Sequence, residues 1–283
     1  MNSLIWGHHK QWLQPVECLI RRFCGDEFIL RIAKNKVYPI LGDLSWFENN
    51  LNLHKNHYDS LMLDLINGIK KSWSHIRLYH ACRPENIDDY YVKGIVPSSI
   101  EALDEYVINT LQEHANIEDI SNVLKYMHRF YNKSDEKVFV AFDKEHLETF
   151  CDHHLMYGSE YLLCAALLLG TLNNKISYIL STIYNPSSSI PIIFHCDIPI
   201  EFIPAKIIYE ISLILIVESF RTLMFQSYIP SSKRFGFGIS KSIRPDWIID
   251  FTIPIINKEK CYPSIWMDLN RFEKEFRQSK IYT

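Results

Sequence analysis

The chain has 283 residues, a formal net charge of −3, and 47% hydrophobic against 22% charged residues. That is the balance of an ordinary globular protein, long enough for one domain with an appended piece and able to bury a core without staples. The near-neutral charge gives no bulk signal for nucleic acid or acidic membranes, and seven cysteines, an odd number, without any CxxC pair, argue against a disulfide framework or zinc ribbon and predict a reducing, cytoplasmic compartment.

The opening stretch MNSLIWGHHKQWLQP lacks the charged head, long apolar run and cleavage site of a signal peptide. Val16–Phe23 and Glu27–Ala33, joined by Gly25-Asp26, predict a β-hairpin, with Lys36–Leu41 as a third strand. Asp59–Trp73 carries Leu61, Leu65, Ile66, Ile69 and Trp73 at helical spacing, with Asp59 or Ser60 as cap. Ile76–Ala81 alternates like a half-buried strand, and Pro84–Gly94 reads as a short helix that Gly94 closes. Ser99–Tyr131 is helical in pattern, Lys137–Asp143 a strand, and Lys144–His154 a helix. Tyr161–Leu172 is apolar but too short to cross a bilayer, so it predicts a buried helix opened by Ser159 and Glu160. Ile190–Pro199 predicts a strand and Pro204–Phe225 a helix, with strand as the alternative because of its β-branched residues. Phe235–Ile243 and Trp247–Pro254 predict late strands, and Arg271–Lys280 a solvated terminal helix. The fold class is α+β, with a strand-rich and helical accessory region over 1–73 and a main domain over 74–283.

Several clusters carry chemistry. His80 stands at a strand end with Arg83 just beyond, where imidazole can bond a ligand hydroxyl and guanidinium can grip a phosphate or carboxylate. In Tyr157-Gly158-Ser159-Glu160, Ser159 can cap the next helix and set Glu160 in its first turn, beside the Tyr157 ring. His146, Glu148, Asp152, His153 and His154 suggest a metal, but His153 and His154 are adjacent and do not share a helix face, and HExxH is absent. No metal is expected. Cys82 and Cys151 lie near histidines and leave a Cys–His nucleophile open. Neither GxxxxGK[ST] nor GxSxG occurs, which excludes the common phosphate loop and the hydrolase nucleophile elbow. Lys233, Arg234, Lys241 and Arg244 could form a local basic patch.

Tyr79-His80-Ala81-Cys82, the short helix after it, Gly94-Ile95, and the strand and helix of Val138–Phe150 resemble the opening of the ADP-ribosyltransferase fold in its His-Tyr-Glu branch. The resemblance covers about residues 76–254, and the FHCDIP stretch resembles a closing strand. It implies a split antiparallel sheet core with helices and NAD as substrate. The activity implied is that of an NAD-dependent mono-ADP-ribosyltransferase, of the bacterial toxin or defence-effector kind, acting on a macromolecular acceptor. In it Glu160 would be the catalytic carboxylate, with Glu201 and Glu210 as competitors. His80 would orient a ribose, Tyr157 or Phe142 would stack on nicotinamide, and Arg83 would meet the pyrophosphate. Ala81, Cys82, Gly94 and Ser159 would complete the NAD site, and the N-terminal region could hold a protein partner. Ala81-Cys82 departs from the family's usual glycine-threonine, so the alternative is an inactive module of this fold that binds a nucleotide or a protein.

Overall fold

The computed structural model describes residues 2–34, 55–129, 136–173, 190–225, 227–230 and 235–255. Of these, 2–77 and 197–230 form one compact unit, and 78–196 with 235–255 form another. The segment 197–230, expected within the 74–283 domain, thus groups with the N-terminal part. The chain passes from the first unit to the second inside one strand, after Arg77, and back inside another, after Cys196.

The first unit is built on helices, which corrects the expected strand-rich N-terminus. α1 spans His9–Cys24, α2 Asp26–Lys34 and α3 Lys55–Ser72. Trp12, Val16 and Ile20 are fully buried at four-residue intervals, a helix stripe that the short windows Val16–Phe23 and Glu27–Ala33 conceal. Gly25-Asp26 is not a hairpin turn. The Gly25 amide donates to the Arg21 carbonyl at 2.8 Å to close α1, and Asp26 and Glu27 occupy the first turn of α2, where the helix dipole favours acids. α3 starts at Lys55, one turn before the expected caps Asp59 and Ser60. The proposed third strand, Lys36–Leu41, lies outside the described residues, as does Arg271–Lys280.

A short β1, Ser3–Leu4, pairs in parallel with His75 and Ile76 at the start of β2, His75–Cys82. Trp6 and Trp12 stack at 5.1 Å, and the Trp12 indole donates to the Trp6 carbonyl. α10, Ala205–Met224, packs against α1, α2 and α3 and is buried without break from Ile211 to Phe220. The helix reading of this β-branched segment therefore holds over the strand alternative.

In the second unit the sheet order is β5-β3-β2-β4-β6, with β3 Val138–Ala141, β4 Ile192–Pro199, β5 Gly236–Ile239 and β6 Ile248–Thr252. β2–β3, β3–β5 and β4–β6 pair antiparallel, so the protein is α+β. The stretch 99–131 holds two helices, α5 Ile100–Leu111 and α6 Ile117–Met127, capped by Ser99 and Asn116. Both pack against α9, Glu160–Asn173, through Val107, Leu111, Val123, Leu163 and Ala166 among others. α4, Asp88–Lys93, is followed by Gly94 at φ 79°. The Ile95 amide and carbonyl bridge to Ile243 at 2.9 and 2.8 Å. Among the described residues no helix is long and apolar enough to cross a membrane.

Candidate functional site

The end of β2 sets the first group. Tyr79 lies opposite Ala141 of β3 and is buried with Leu147, Leu155 and Ile193, so strand alternation turns His80 to the other face. His80 Nδ1 sits 2.8 Å from the Phe139 carbonyl oxygen. A carbonyl can only accept, so Nδ1 carries the hydrogen and Nε2 keeps its lone pair. Burial lowers the His80 pKa below the ordinary value, against the opposing hydrogen bond to Phe139, and the ring is neutral at pH 7. It can therefore accept a hydrogen bond from a hydroxyl through Nε2.

The second group follows from the segment 144–160, where the sequence predicts one helix over Lys144–His154. It is two short ones, α7 Lys144–Thr149 and α8 Asp152–Tyr157, broken at Phe150 and Cys151. The break puts His146 on one helix and His153 and His154 on the next. His146 is buried with its Nε2 3.4 Å from Cys151 Sγ. His154 stacks on the Phe139 ring at 5.4 Å and lies 4.3 Å from the His153 ring. Burial first, then the positive fields of His153 and His80 when charged, push the His154 pKa well below the usual histidine value. Gly158 then takes a left-handed conformation at φ 78°, which reverses the chain at little cost for glycine. Ser159 Oγ accepts from the Leu162 amide at 3.3 Å, the cap expected from the sequence, and Glu160 stands exposed in the first turn of α9.

Arg83 ties the two groups together. Its Nη1 donates to the Met156 carbonyl at 2.7 Å, a cation on the last turn of a helix, and a Cβ on Gly158 would rest against the Arg83 side chain at 3.4 Å. One ligand atom each from His153, His154 and Glu160 lies within 4.8 Å of the others. Arg83, Gly158, Ser159 and Glu160 thus meet in one neighbourhood with His153 and His154, a pair for which the spacing predicts no shared helix face.

The remaining predicted site residues have other work. Phe142 is fully buried and packs edge-on against Phe235. Tyr157 is buried among the apolar side chains of α5, α6 and α9. Neither ring is placed as the expected nicotinamide platform, because core packing takes both. Ala81 and Cys82 are buried. Burial pushes the Cys82 thiol up to about 12, with a partly offsetting bond to Tyr90, so Cys82 is no nucleophile. At Gly94 a side chain would run into the Ile243 carbonyl oxygen, which makes this glycine a support of the fold. Glu201 and Glu210 belong to the first unit. Arg244 pairs with Asp246 at 2.9 Å and lies over the Trp247 ring, while Lys233 and Arg234 lie outside the described residues. Comparison with protein-family models, with curated proteins and with solved structures finds no match.

Proposed function

We propose that the protein is an NAD-cleaving ADP-ribosyltransferase with an ADP-ribosyltransferase-like core, acting on a macromolecular acceptor in the manner of a bacterial toxin or defence effector. The observation that carries this reading is the approach of the β2 end to the turn before α9, through Arg83 and the Met156 carbonyl. It brings a guanidinium to the turn that precedes an exposed carboxylate, Glu160. In the reaction the bond between nicotinamide and ribose C1′ breaks, and its electron pair leaves with nicotinamide. The ribose develops oxocarbenium character, which the Glu160 carboxylate stabilises. The acceptor's nucleophilic atom then bonds to C1′ and releases its proton to water. His80 Nε2 accepts from a ribose hydroxyl. The helical first unit is the place for a protein partner.

A second reading is a module of the same fold that binds a nucleotide without cleaving it. The burial of Tyr157 and Phe142 favours it, since both rings expected to hold nicotinamide are spent on the core. Purified protein incubated with NAD, beside His80→Ala and Glu160→Gln, separates the two. Nicotinamide release by wild type, lost in both variants, supports transfer. Binding without release, lost in His80→Ala, supports the binding module. An absence of NAD binding by folded wild type rejects both.

A further inference from the structure

We propose that His153, His154 and Glu160 form a binding site for one divalent transition-metal ion of the zinc class. The inference stands on their own geometry and does not rest on the NAD reading, although it shares Glu160 with it. Two imidazole nitrogens and one carboxylate oxygen lie within 4.8 Å of one another. Bonds of about 2.0–2.2 Å to nitrogen and oxygen let small side-chain rotations bring all three onto one ion. Two nitrogen donors select zinc, cobalt, nickel or copper over magnesium and calcium, which prefer oxygen alone. Three protein ligands leave a coordination position for water or substrate, the pattern of catalytic rather than structural zinc. Glu160 is exposed, so an ion has a path in.

Adjacent residues seldom serve one ion from a regular helix, because they point about 100° apart. Here the helix is short and its surroundings hold the pair. Phe139 stacks on the His154 ring, the two rings lie 4.3 Å apart, and the left-handed Gly158 with the Ser159 cap returns the chain so that Glu160 faces them. Arg83 on the Met156 carbonyl fixes that turn. A site whose ligands are oriented by their neighbours is prepared before the ion arrives.

The test uses the full chain, stripped with chelator and desalted, and titrated with Zn²⁺ alone by calorimetry. Co²⁺ absorption serves as a spectroscopic check on nitrogen and oxygen ligation. Wild type should bind one equivalent. His153→Ala, His154→Ala and Glu160→Gln should each weaken binding by at least about 10-fold, with circular dichroism unchanged. Glu160→Gln, at an exposed position, keeps the test valid if a histidine variant fails to fold. No binding by wild type, or binding by Glu160→Gln and His153→Ala as tight as that of wild type, overturns the site. NAD is absent throughout, so failure here leaves the NAD reading standing, and loss of NAD binding in chelated protein leaves this site standing.

Discussion

Replacing Gly94 by alanine separates two costs that the structure puts at one position. Gly94 has φ 79° and ψ −169°, a region essentially restricted to glycine, and holding another residue there costs about 1–3 kcal/mol. The added methyl would also meet the Ile243 carbonyl oxygen, the atom that accepts from the Ile95 amide at 2.9 Å. Backbone cannot swing aside as a flexible side chain can. Relief means giving up this bridge and its return bond at 2.8 Å, about 0.5–1.5 kcal/mol each. The total is about 2–6 kcal/mol. Gly158→Ala in the same unit is the comparison. It has φ 78°, but its nearest neighbour would be the Arg83 stem at 3.4 Å, an ordinary contact, so only about 1–2 kcal/mol of left-handed strain applies. Urea unfolding followed by circular dichroism measures both, and hydrogen exchange of peptides covering Ile95 and Ile243 localises the effect. Gly94→Ala should be the more destabilising and should speed exchange at both positions. If it costs no more than Gly158→Ala, the close approach of Gly94 to Ile243 is refuted.

Stability should fall as pH drops below about 6.5, the ordinary histidine value. His80 is held below that value by burial, so the unfolded chain takes up a proton that the folded one refuses, and its contribution is fully present above that pH and lost beneath it. Thermal unfolding from pH 7.5 to 5.5 should show this fall, with a shallower slope in His80→Gln. Iodoacetamide at pH 8 should label Cys18, which is exposed, and spare Cys82, which is buried with its thiol pushed up to about 12; mass spectrometry of native protein reads the sites. Tyr228→Phe removes a 2.6 Å hydrogen bond to the buried Glu218 carboxylate and should cost about 1.5–3 kcal/mol by urea unfolding.

What could be read from the sequence depended on how local its cause was. Ser159 as a cap, Gly94 as a helix end, and the strands around His80, Val140 and Phe194 follow from patterns a few residues long, and the structure contains them. α1 and α2 failed because Val16–Phe23 and Glu27–Ala33 are short apolar runs in which helix and strand periods agree. The wider interval Trp12, Val16, Ile20 would have decided for helix. The break at Phe150 and Cys151 carries no glycine or proline to announce it. Helix spacing keeps His153 and His154 off one face, and it is the left-handed Gly158 beyond the helix, not the spacing, that brings Glu160 within reach of both. The bond from Arg83 to Met156 spans 73 residues, and no local pattern encodes it.

Glu160 is asked to serve two chemistries, and that demand makes their relation testable. A carboxylate bound to a dication has its charge neutralised at the atom that would otherwise face a developing oxocarbenium. If both readings hold, Zn²⁺ is an inhibitor of NAD cleavage, with half-inhibition at the concentration that half-fills the metal site. His153→Ala should then release nicotinamide as wild type does without metal but resist Zn²⁺, because it loses a metal ligand and keeps the carboxylate. Glu160→Gln should lose both activities. Nicotinamide release assayed across a Zn²⁺ titration reads this directly. Cleavage that is indifferent to Zn²⁺ while calorimetry shows the metal bound through Glu160 would mean that this carboxylate is not the one facing the ribose.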